Sequence, residues 1–280
     1  MSAFTPRRLG QPDSAATAYD HGAHVAQWVV DDVPVVWVSR RSSYAADVSI
    51  RGGIPVCWPW FANGPSGDRR PSHGVARTAT WTLLDHSESS ARWGLTTSSP
   101  RQSDDVLAAQ CESTLDVSVT GRSLVVAHTV VNSGDASMSY EIALHTYLHV
   151  GDVRDVSLRG LDAAPYFDKV NKTTATQTGD LRITGEVDRI YDSGEPVTVL
   201  DPTLDRSITV TSEGAGNVVV WNPGPDGAAS MSDFADEEWT QMVCVETANI
   251  GDRSIQLNPG ASHTTTARIE LTPARKRAAQ

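Results

Sequence analysis

Hydrophobic and polar positions alternate along this chain in many short runs. From residue 24, seven-residue runs such as HVAQWVV and PVVWVSR are rich in β-branched and aromatic side chains. Similar runs, among them TATWTLL, CESTLDVSV, SLVVAHTVV, NVVVWN and MVCVETANI, are separated by short Asp, Ser, Gly and Pro segments. No window shows a long apolar period of 3.6 residues. The pattern predicts an all-β protein, a large antiparallel β-sandwich with at most short helices, the best candidate being Asp233–Gln241 with Ser232 or Asp233 as N-cap.

The 280 residues are predicted to form one domain with two flanking segments. Residues 1–20 are polar and are expected to be mobile. Residues 21–271 contain no break rich in Pro, Gly or Ser and no internal repeat, which indicates a single β-sandwich domain. Residues 272–280, TPARKRAAQ, are expected to form a basic disordered tail.

Composition and charge narrow the range of partners. The formal net charge of −11 argues against nucleic acid. No stretch approaches the roughly 20 apolar residues of a membrane span, and the first residues lack a signal-peptide pattern. The three cysteines, Cys57, Cys111 and Cys244, lie in apolar contexts and are expected to be reduced core thiols. We therefore expect a cytoplasmic monomer without a membrane partner, in which any site for an anion needs locally focused positive charge.

The stretch Arg51–Trp81, RGGIPVCWPWFANGPSGDRRPSHGVARTATW, has a composition that a buried core does not need. Gly52 and Gly53 allow positive φ or close approach of the backbone to a ligand. The prolines stiffen the segment and interrupt any regular strand pairing. Arg51 and Arg77 flank this segment, and guanidinium groups match carboxylate or phosphate oxygens in pairs. The stretch therefore suggests a fixed anion site, and a surface loop with two solvated arginines is the alternative.

Two strands carry candidate acid–base groups. In Tyr140–Val150, alternation places His145 and Tyr147 on the face opposite the core residues. In QMVCVETAN, Glu246 shares a face with Cys244 and interrupts an apolar strand. A carboxylate there is costly unless it is paired, hydrogen-bonded or wet. The functional interpretation is an acid–base group with a tuned pKa, and the structural alternatives are a packing histidine and a buried acid satisfied by a backbone amide or an arginine.

A third strand segment, GEVDRIY, places Glu186 and Asp188 on one face and Arg189 on the other. An exposed strand of alternating charge is the structural alternative. His145 and His149 are four residues apart, but on a strand, so they do not match the helical spacing of a metal pair. No phosphate-binding glycine loop, nucleophile elbow or dinucleotide fingerprint is present. We therefore expect no metal and no cofactor.

Several motifs occur together in a specific order between about His21 and about Leu271. They are IRGGIPVCWPWF, HGVAR followed by W, ALHTYLHV, a GL…Y…DKV segment, EVDRIY, VVWNP, MSDF and MVCVETA. In these motifs and their order the chain resembles the D-hexose-6-phosphate mutarotases, also called glucose-6-phosphate 1-epimerases, of the aldose 1-epimerase superfamily. The resemblance implies a galactose-mutarotase-like sandwich of two large antiparallel sheets with a shallow cleft.

The resemblance also implies residue roles. It implies that His145 and Glu246 are the catalytic pair and that Arg51 and Arg77 bind a small-molecule sugar phosphate at its 6-phosphate. Asp188 corresponds to a carboxylate that holds sugar hydroxyls.

Two further positions belong to the substrate loop of this resemblance. His73 lies within that loop. Ser72 stands where relatives often carry Gln, and its shorter side chain puts a direct contact with the sugar in doubt.

Anomer interconversion requires the ring oxygen to gain a proton while the anomeric hydroxyl loses one, so no redox step and no metal are needed. We hypothesise one acid and one base on opposite sides of C1. His145 protonates the ring oxygen and Glu246 takes the anomeric proton, with Asp188 keeping the imidazolium populated. This scheme predicts a bell-shaped pH profile.

Three other functions stay open at this point. One is a carbohydrate or sugar-phosphate binding protein without turnover. Another is an aldose 1-epimerase for unphosphorylated sugars, although two arginines have no evident purpose beside a neutral sugar. The third is a glycoside hydrolase or lyase, which generally needs two carboxylates across the bond or additional domains.

Overall fold

Two eight-stranded antiparallel sheets dominate the structure, a computed structural model that describes residues 2–97 and 110–273. We call the sheet that carries His145 and Glu246 the site sheet. Its spatial order is β15 (Thr173–Thr176), β14 (Pro165–Asp168), β16 (Val187–Tyr191), β19 (Asn217–Asn222), β20 (Met242–Asn249), β11 (Ile142–Leu144) and β5 (Val56–Cys57), with β12 (Tyr147–His149) also paired to β20.

The second large sheet, called the back sheet, packs against one face of the site sheet. Its spatial order is β13 (Ser157–Arg159), β17 (Val197–Asp201), β18 (Arg206–Glu213), β22 (Ser262–Pro273), β9 (Ser123–Asn132), β8 (Cys111–Thr120), β7 (Ser90–Thr97) and β6 (Thr82–His86). Long hairpins such as β8–β9 hold this sheet in a continuous register.

Smaller elements complete the architecture. A four-stranded sheet has the order β1 (Arg7–Gln11), β2 (Ser14–Tyr19), β3 (His24–Val30) and β4 (Val33–Pro34), and a two-stranded sheet pairs β10 (Met138–Tyr140) with β21 (Ile255–Leu257). Among residues 2–97 and 110–273, the helices are one short α-helix, α1 (Gly224–Ser230), and two 3-10 helices, Glu238–Gln241 and Gly251–Arg253. Among the described residues, none of the helices has the length and apolar character needed to cross a bilayer.

The main core lies between the two large sheets because each strand turns alternate side chains toward it. On β20, Val243 and Val245 are buried in this core, together with residues of the back sheet such as Leu115 and Ile269. Each such side chain contributes roughly 1.5–3 kcal/mol when fully buried. The intervening residues of β20 point to the other face of the site sheet, where the candidate chemistry lies. The predicted all-β sandwich with short helices is confirmed.

The N-terminal region differs from the expected mobile segment 1–20. Residues Arg7–Gln11 and Ser14–Tyr19 are paired strands, and Leu9, Ala16 and Ala18 are buried in the main core. The alternation in SAATAY is carried by Ser, Ala and Thr, and alanine is depleted in strands, so the period-2 signal was weak.

Two other boundaries also differ from the sequence-based expectations. The last strand extends to Pro273, so the predicted tail 272–280 begins inside it and the rest of that tail lies outside the described residues. Within the predicted helix 233–241, only Glu238–Gln241 is helical, and it is a 3-10 helix. The α-helix of the described residues lies instead at Gly224–Ser230, where two glycines and a proline in GPDGAAS give a low helix propensity.

Candidate active site

His145 and Glu246 face each other across two neighbouring strands. Both β11 and β12 pair with β20 in one continuous antiparallel register, with Leu144 opposite Thr247 and Tyr147 opposite Cys244. The residue between them, His145, therefore lies opposite Glu246. Its Nε2 is 3.3 Å from Glu246 Oε1, and the two side chains are only 9% and 1% exposed.

This pair is incompletely hydrogen-bonded although it is buried. Glu246 Oε2 and His145 Nδ1 are both shielded from solvent and have no hydrogen-bond partner. An unsatisfied buried polar group costs about 1–3 kcal/mol. Glu141 shows the contrasting case, because its two oxygens accept the backbone N–H groups of Phe61 at 2.9 Å and Gly251 at 2.8 Å. Glu246 therefore does not match the structural alternative of an acid satisfied by a backbone amide or an arginine.

Aromatic rings fix the orientation of the imidazole. The ring of Tyr147 stacks on that of His145 with centroids 4.7 Å apart and an interplanar angle of 12°. The rings of Trp221 and His73 lie roughly perpendicular to that of His145, with centroid distances of 6.0 Å and 5.7 Å. The imidazole is thus held between rings, with its Nε2 directed at the carboxyl group.

The protonation states follow from this burial. Burial lowers the pKa of His145 well below its ordinary value, and nearby positive groups, including Arg51 and Arg77, act in the same direction. Burial raises the pKa of Glu246 well above its ordinary value, and the negative charge of Asp188 reinforces that shift. These directions favour a neutral imidazole beside a protonated carboxyl in the substrate-free site. They oppose the hypothesised protonated His145 and ionised Glu246, because desolvation disfavours both charges and Asp188 raises the pKa of the carboxyl group.

His73 lies beside His145, with ring centroids 5.7 Å apart. Its backbone N–H donates to Ala62 O at 2.6 Å, and its Nδ1 accepts from Ala62 N–H at 3.3 Å. The ring of Phe61 meets it edge-on at 4.8 Å. Burial, followed by the positive charge of Arg77, lowers the pKa of His73 to about 3. This histidine is therefore neutral near pH 7 and lines the site without adding charge.

Arg51 is connected to the aromatic rings of the site. Its Nε donates to Asp233 Oδ2 at 3.1 Å, and its Nη1 donates to the hydroxyl of Tyr147 at 3.1 Å. Gly52 and Gly53 follow with φ of +111° and +71°, as the sequence predicted. A Cβ on Gly52 would lie 2.5 Å from Trp37 O, so the backbone path that presents Arg51 requires glycine.

A hydrogen bond holds Arg77 against the main chain of Ser72. Arg77 Nη2 donates to the backbone carbonyl of Ser72 at 2.7 Å. Ser72 thus contributes through its main chain to the position of the guanidinium group. The positive charges of Arg77 and Arg51 both lower the pKa of His145, so both arginines lie near the His145–Glu246 pair.

Asp188 lies on the same face of the site sheet. The cross-strand row Asp188–Trp221–Cys244 runs through β16, β19 and β20. Asp188 Oδ2 accepts a hydrogen bond from Lys169 Nζ at 2.7 Å. That ammonium group lies 5.5 Å from the centroid of the Phe61 ring. The Asp188 side chain is only 19% exposed, so the GEVDRIY segment is not merely an exposed strand of alternating charge.

Comparison with known proteins identifies the family. The family model described as Aldose 1-epimerase matches residues 8–270. The chain belongs to the aldose 1-epimerase family. An Escherichia coli (strain K12) protein named "Putative glucose-6-phosphate 1-epimerase" is 35% identical over 247 residues, 86% of this chain and 81% of the relative. A Salmonella typhimurium protein of the same name is 34% identical over 245 residues, 85% of this chain and 81% of the relative.

Solved structures agree with this assignment. The crystal structure of a "putative mutarotase" from Salmonella typhimurium matches with a TM-score of 0.84 at 27% identity, covering 95% of this chain and 90% of that chain. The mutarotase-like sandwich implied by the motifs is therefore confirmed. Membership of the aldose 1-epimerase family places the chain among the isomerases.

Four residues of this site were not proposed as site residues from the sequence. They are Tyr147, Lys169, Trp221 and Asp233. A sequence signal existed for each of them. Tyr147 shares the strand face of His145, and the other three lie in the DKV, VVWNP and MSDF motifs.

Proposed function

We propose that this chain interconverts the α and β anomers of aldohexose 6-phosphates, as a glucose-6-phosphate 1-epimerase. The observation that carries the proposal is the contact between His145 and Glu246, two buried groups that each retain an unpartnered polar atom. The names of the two bacterial relatives support the phosphorylated substrate.

The side-by-side placement of the pair suits the chemistry at an anomeric carbon. The ring oxygen and the anomeric hydroxyl oxygen are both bonded to C1, so two neighbouring groups on one sheet face can reach both of them. This arrangement replaces the predicted acid and base on opposite sides of C1, because His145 and Glu246 are in contact. One group donates its proton to the ring oxygen while the other accepts the anomeric proton. The ring opens to the aldehyde, C1–C2 rotates, and closure on the other carbonyl face completes the reaction.

The pair needs one exchangeable proton. With the proton on Glu246, the carboxyl group is the acid toward the ring oxygen and His145 is the base toward the anomeric hydroxyl. The directions of the two pKa shifts favour this division of roles, which reverses the sequence-based hypothesis. A protonated Glu246 beside a neutral His145 and an ionised Glu246 beside a protonated His145 contain the same number of protons. Both assignments of the acid and the base therefore give the same bell-shaped pH profile. A positioned acid or base contributes about 10²–10⁴-fold to the rate, which suffices because sugars already mutarotate without an enzyme.

The arginines are proposed to bind the 6-phosphate. Arg51 is oriented by Asp233 and by the Tyr147 hydroxyl, and Arg77 by the Ser72 carbonyl. A phosphate that pairs with these guanidinium groups forms charge-assisted hydrogen bonds, which are about twice as strong as neutral ones. Because the chain as a whole is acidic, this local positive charge is needed to attract an anionic sugar. We assign Asp188, with Lys169 beside it, to the sugar hydroxyls.

Exchange spectroscopy by NMR tests this function. The α/β interconversion rate is measured at equal concentrations of glucose 6-phosphate and glucose, with and without the protein. We expect acceleration for both sugars and a higher kcat/KM for the phosphate. Acceleration of glucose with no preference for the phosphate would indicate an epimerase for unphosphorylated sugars. Saturable binding without acceleration would indicate a binding protein. A monomeric state and a cytoplasmic location stay predictions.

A further inference from the structure

Three potential metal ligands meet at the catalytic pair, although the sequence showed no metal-binding spacing. His145, Cys244 and Glu246 each offer a donor atom, and these three atoms lie within 4.8 Å of one another. The arrangement arises because Cys244 and Glu246 are two residues apart on β20 and point to the same face. His145 then approaches from the neighbouring strand.

The geometry is close to that of tetrahedral zinc. Zinc bonds of about 2.0–2.1 Å to nitrogen and oxygen place those two ligand atoms about 3.4 Å apart. The distance between His145 Nε2 and Glu246 Oε1 is 3.3 Å. A thiolate, an imidazole and a carboxylate are all ligands that zinc accepts, and three protein ligands leave a fourth position for water.

The donors are available for a ligand. Glu246 Oε2 is buried without a partner, His145 Nε2 faces the Glu246 carboxyl group, and Cys244 is a free, buried cysteine. A thiolate and a carboxylate together neutralise a divalent cation. The complex therefore adds no net charge next to Arg51 and Arg77, where an unneutralised cation would be repelled.

We propose that Zn²⁺ binds to Cys244 Sγ, His145 and Glu246, and that it inhibits the enzyme by occupying the acid–base pair. On binding, the thiol of Cys244 and the carboxyl group release their protons to solvent, and no electron transfer is involved. Metal binding itself does not depend on the proposed reaction. Only the inhibition rests on the proposed function.

The binding test uses Co²⁺ as a spectroscopic substitute for zinc on the reduced, metal-free protein. We expect one Co²⁺ per chain with a thiolate-to-cobalt charge-transfer band, which added Zn²⁺ abolishes because zinc binds such sites more tightly. Cys244→Ser should lose the band and weaken zinc binding by at least about 10-fold, since even loss of an outer-shell partner typically costs 10–100-fold. Cys57→Ser, which changes another buried cysteine of the same sheet outside the donor set, should retain the band.

A second measurement does not depend on any variant. X-ray absorption at the zinc edge of the wild-type protein should show one sulfur scatterer with nitrogen and oxygen scatterers. A zinc environment without sulfur, or a cobalt band that survives Cys244→Ser, would overturn the proposal even if the protein turned out to be only a sugar-binding protein.

The inhibition is then measured on glucose 6-phosphate exchange. Zinc should inhibit the wild type and Cys57→Ser, and a chelator should restore their rates. Cys244→Ser, compared with its own metal-free rate, should need at least about 10-fold more zinc. Equal zinc sensitivity of the wild type and Cys244→Ser would overturn inhibition through this site.

Discussion

Replacing Glu246 with glutamine should stabilise the fold increasingly as the pH rises. The carboxyl group is 1% exposed, and burial raises its pKa above the ordinary value of about 4.3. The folded protein therefore holds a proton that the unfolded chain has lost at the same pH. The unfolding free energy of the wild type therefore falls as the pH rises from the ordinary pKa of a glutamate toward the raised pKa of Glu246 in the folded protein. The slope is about 1.4 kcal/mol per pH unit for one proton.

Glu246→Gln removes this loss, because an amide does not titrate. The difference in unfolding free energy between variant and wild type should grow by about 1.4 kcal/mol per pH unit above about pH 4.5, until Glu246 ionises in the folded protein. Over 1.5 units the gain is about 2 kcal/mol, which urea unfolding at a series of pH values resolves. The same variant should lose about 10²–10⁴-fold in turnover, because its amide cannot exchange the proton.

Glu141→Gln is the matched control. This glutamate is also buried, but both of its oxygens accept backbone N–H groups. A glutamine there turns one acceptor into a donor that faces an N–H group, so the variant should be destabilised by about 1–3 kcal/mol. A difference for Glu246→Gln that does not change with pH would refute the reasoning. So would a destabilisation like that of Glu141→Gln, since Glu246 would then be a satisfied structural acid.

Three further predictions concern the two arginines, the protonation of His145 and the buried histidines of the core. Arg51→Gln and Arg77→Gln should each raise KM for glucose 6-phosphate more than for glucose in steady-state assays, and equal losses on both sugars would exclude the phosphate role. At pH 7, ¹⁵N NMR of the substrate-free protein should show a neutral imidazole for His145, and an imidazolium would contradict the assigned protonation. Burial lowers the pKa of His24 and His128 to about 3, so stability should fall by about 2 kcal/mol for each as the pH falls from 6.5 to 5. In urea unfolding at a series of pH values, His128→Gln should remove the loss of stability that comes from His128. An unchanged pH dependence of the unfolding free energy would refute this prediction.

Strand alternation accounts for most of what could be predicted from the sequence. It separated Leu144 from His145 and Val245 from Glu246, and the structure keeps both separations. The prediction succeeds because side chains alternate between the two faces of a strand, so the residues of the core face identify those of the opposite face. The positive φ of Gly52 and Gly53 was likewise predictable, since such backbone positions favour glycine.

Contacts between distant parts of the chain could not be predicted in this way. Arg51 meets Asp233 across 182 positions of sequence, and no local pattern specifies that pairing. The protonation of the pair likewise depends on the fold. The sequence suggested that Asp188 would support a charged His145, whereas in the structure burial lowers the pKa of His145 and the charge of Asp188 raises the pKa of Glu246. The burial of a side chain depends on the whole fold, so it cannot be predicted from the spacing of charged residues along the sequence.

Magnetisation transfer between the α and β anomers of glucose 6-phosphate is the most direct test of the catalytic pair. The wild type should accelerate the exchange, while His145→Gln and Glu246→Gln should each lose about 10²–10⁴-fold and still unfold cooperatively. Exchange at the wild-type rate in both variants would contradict the account.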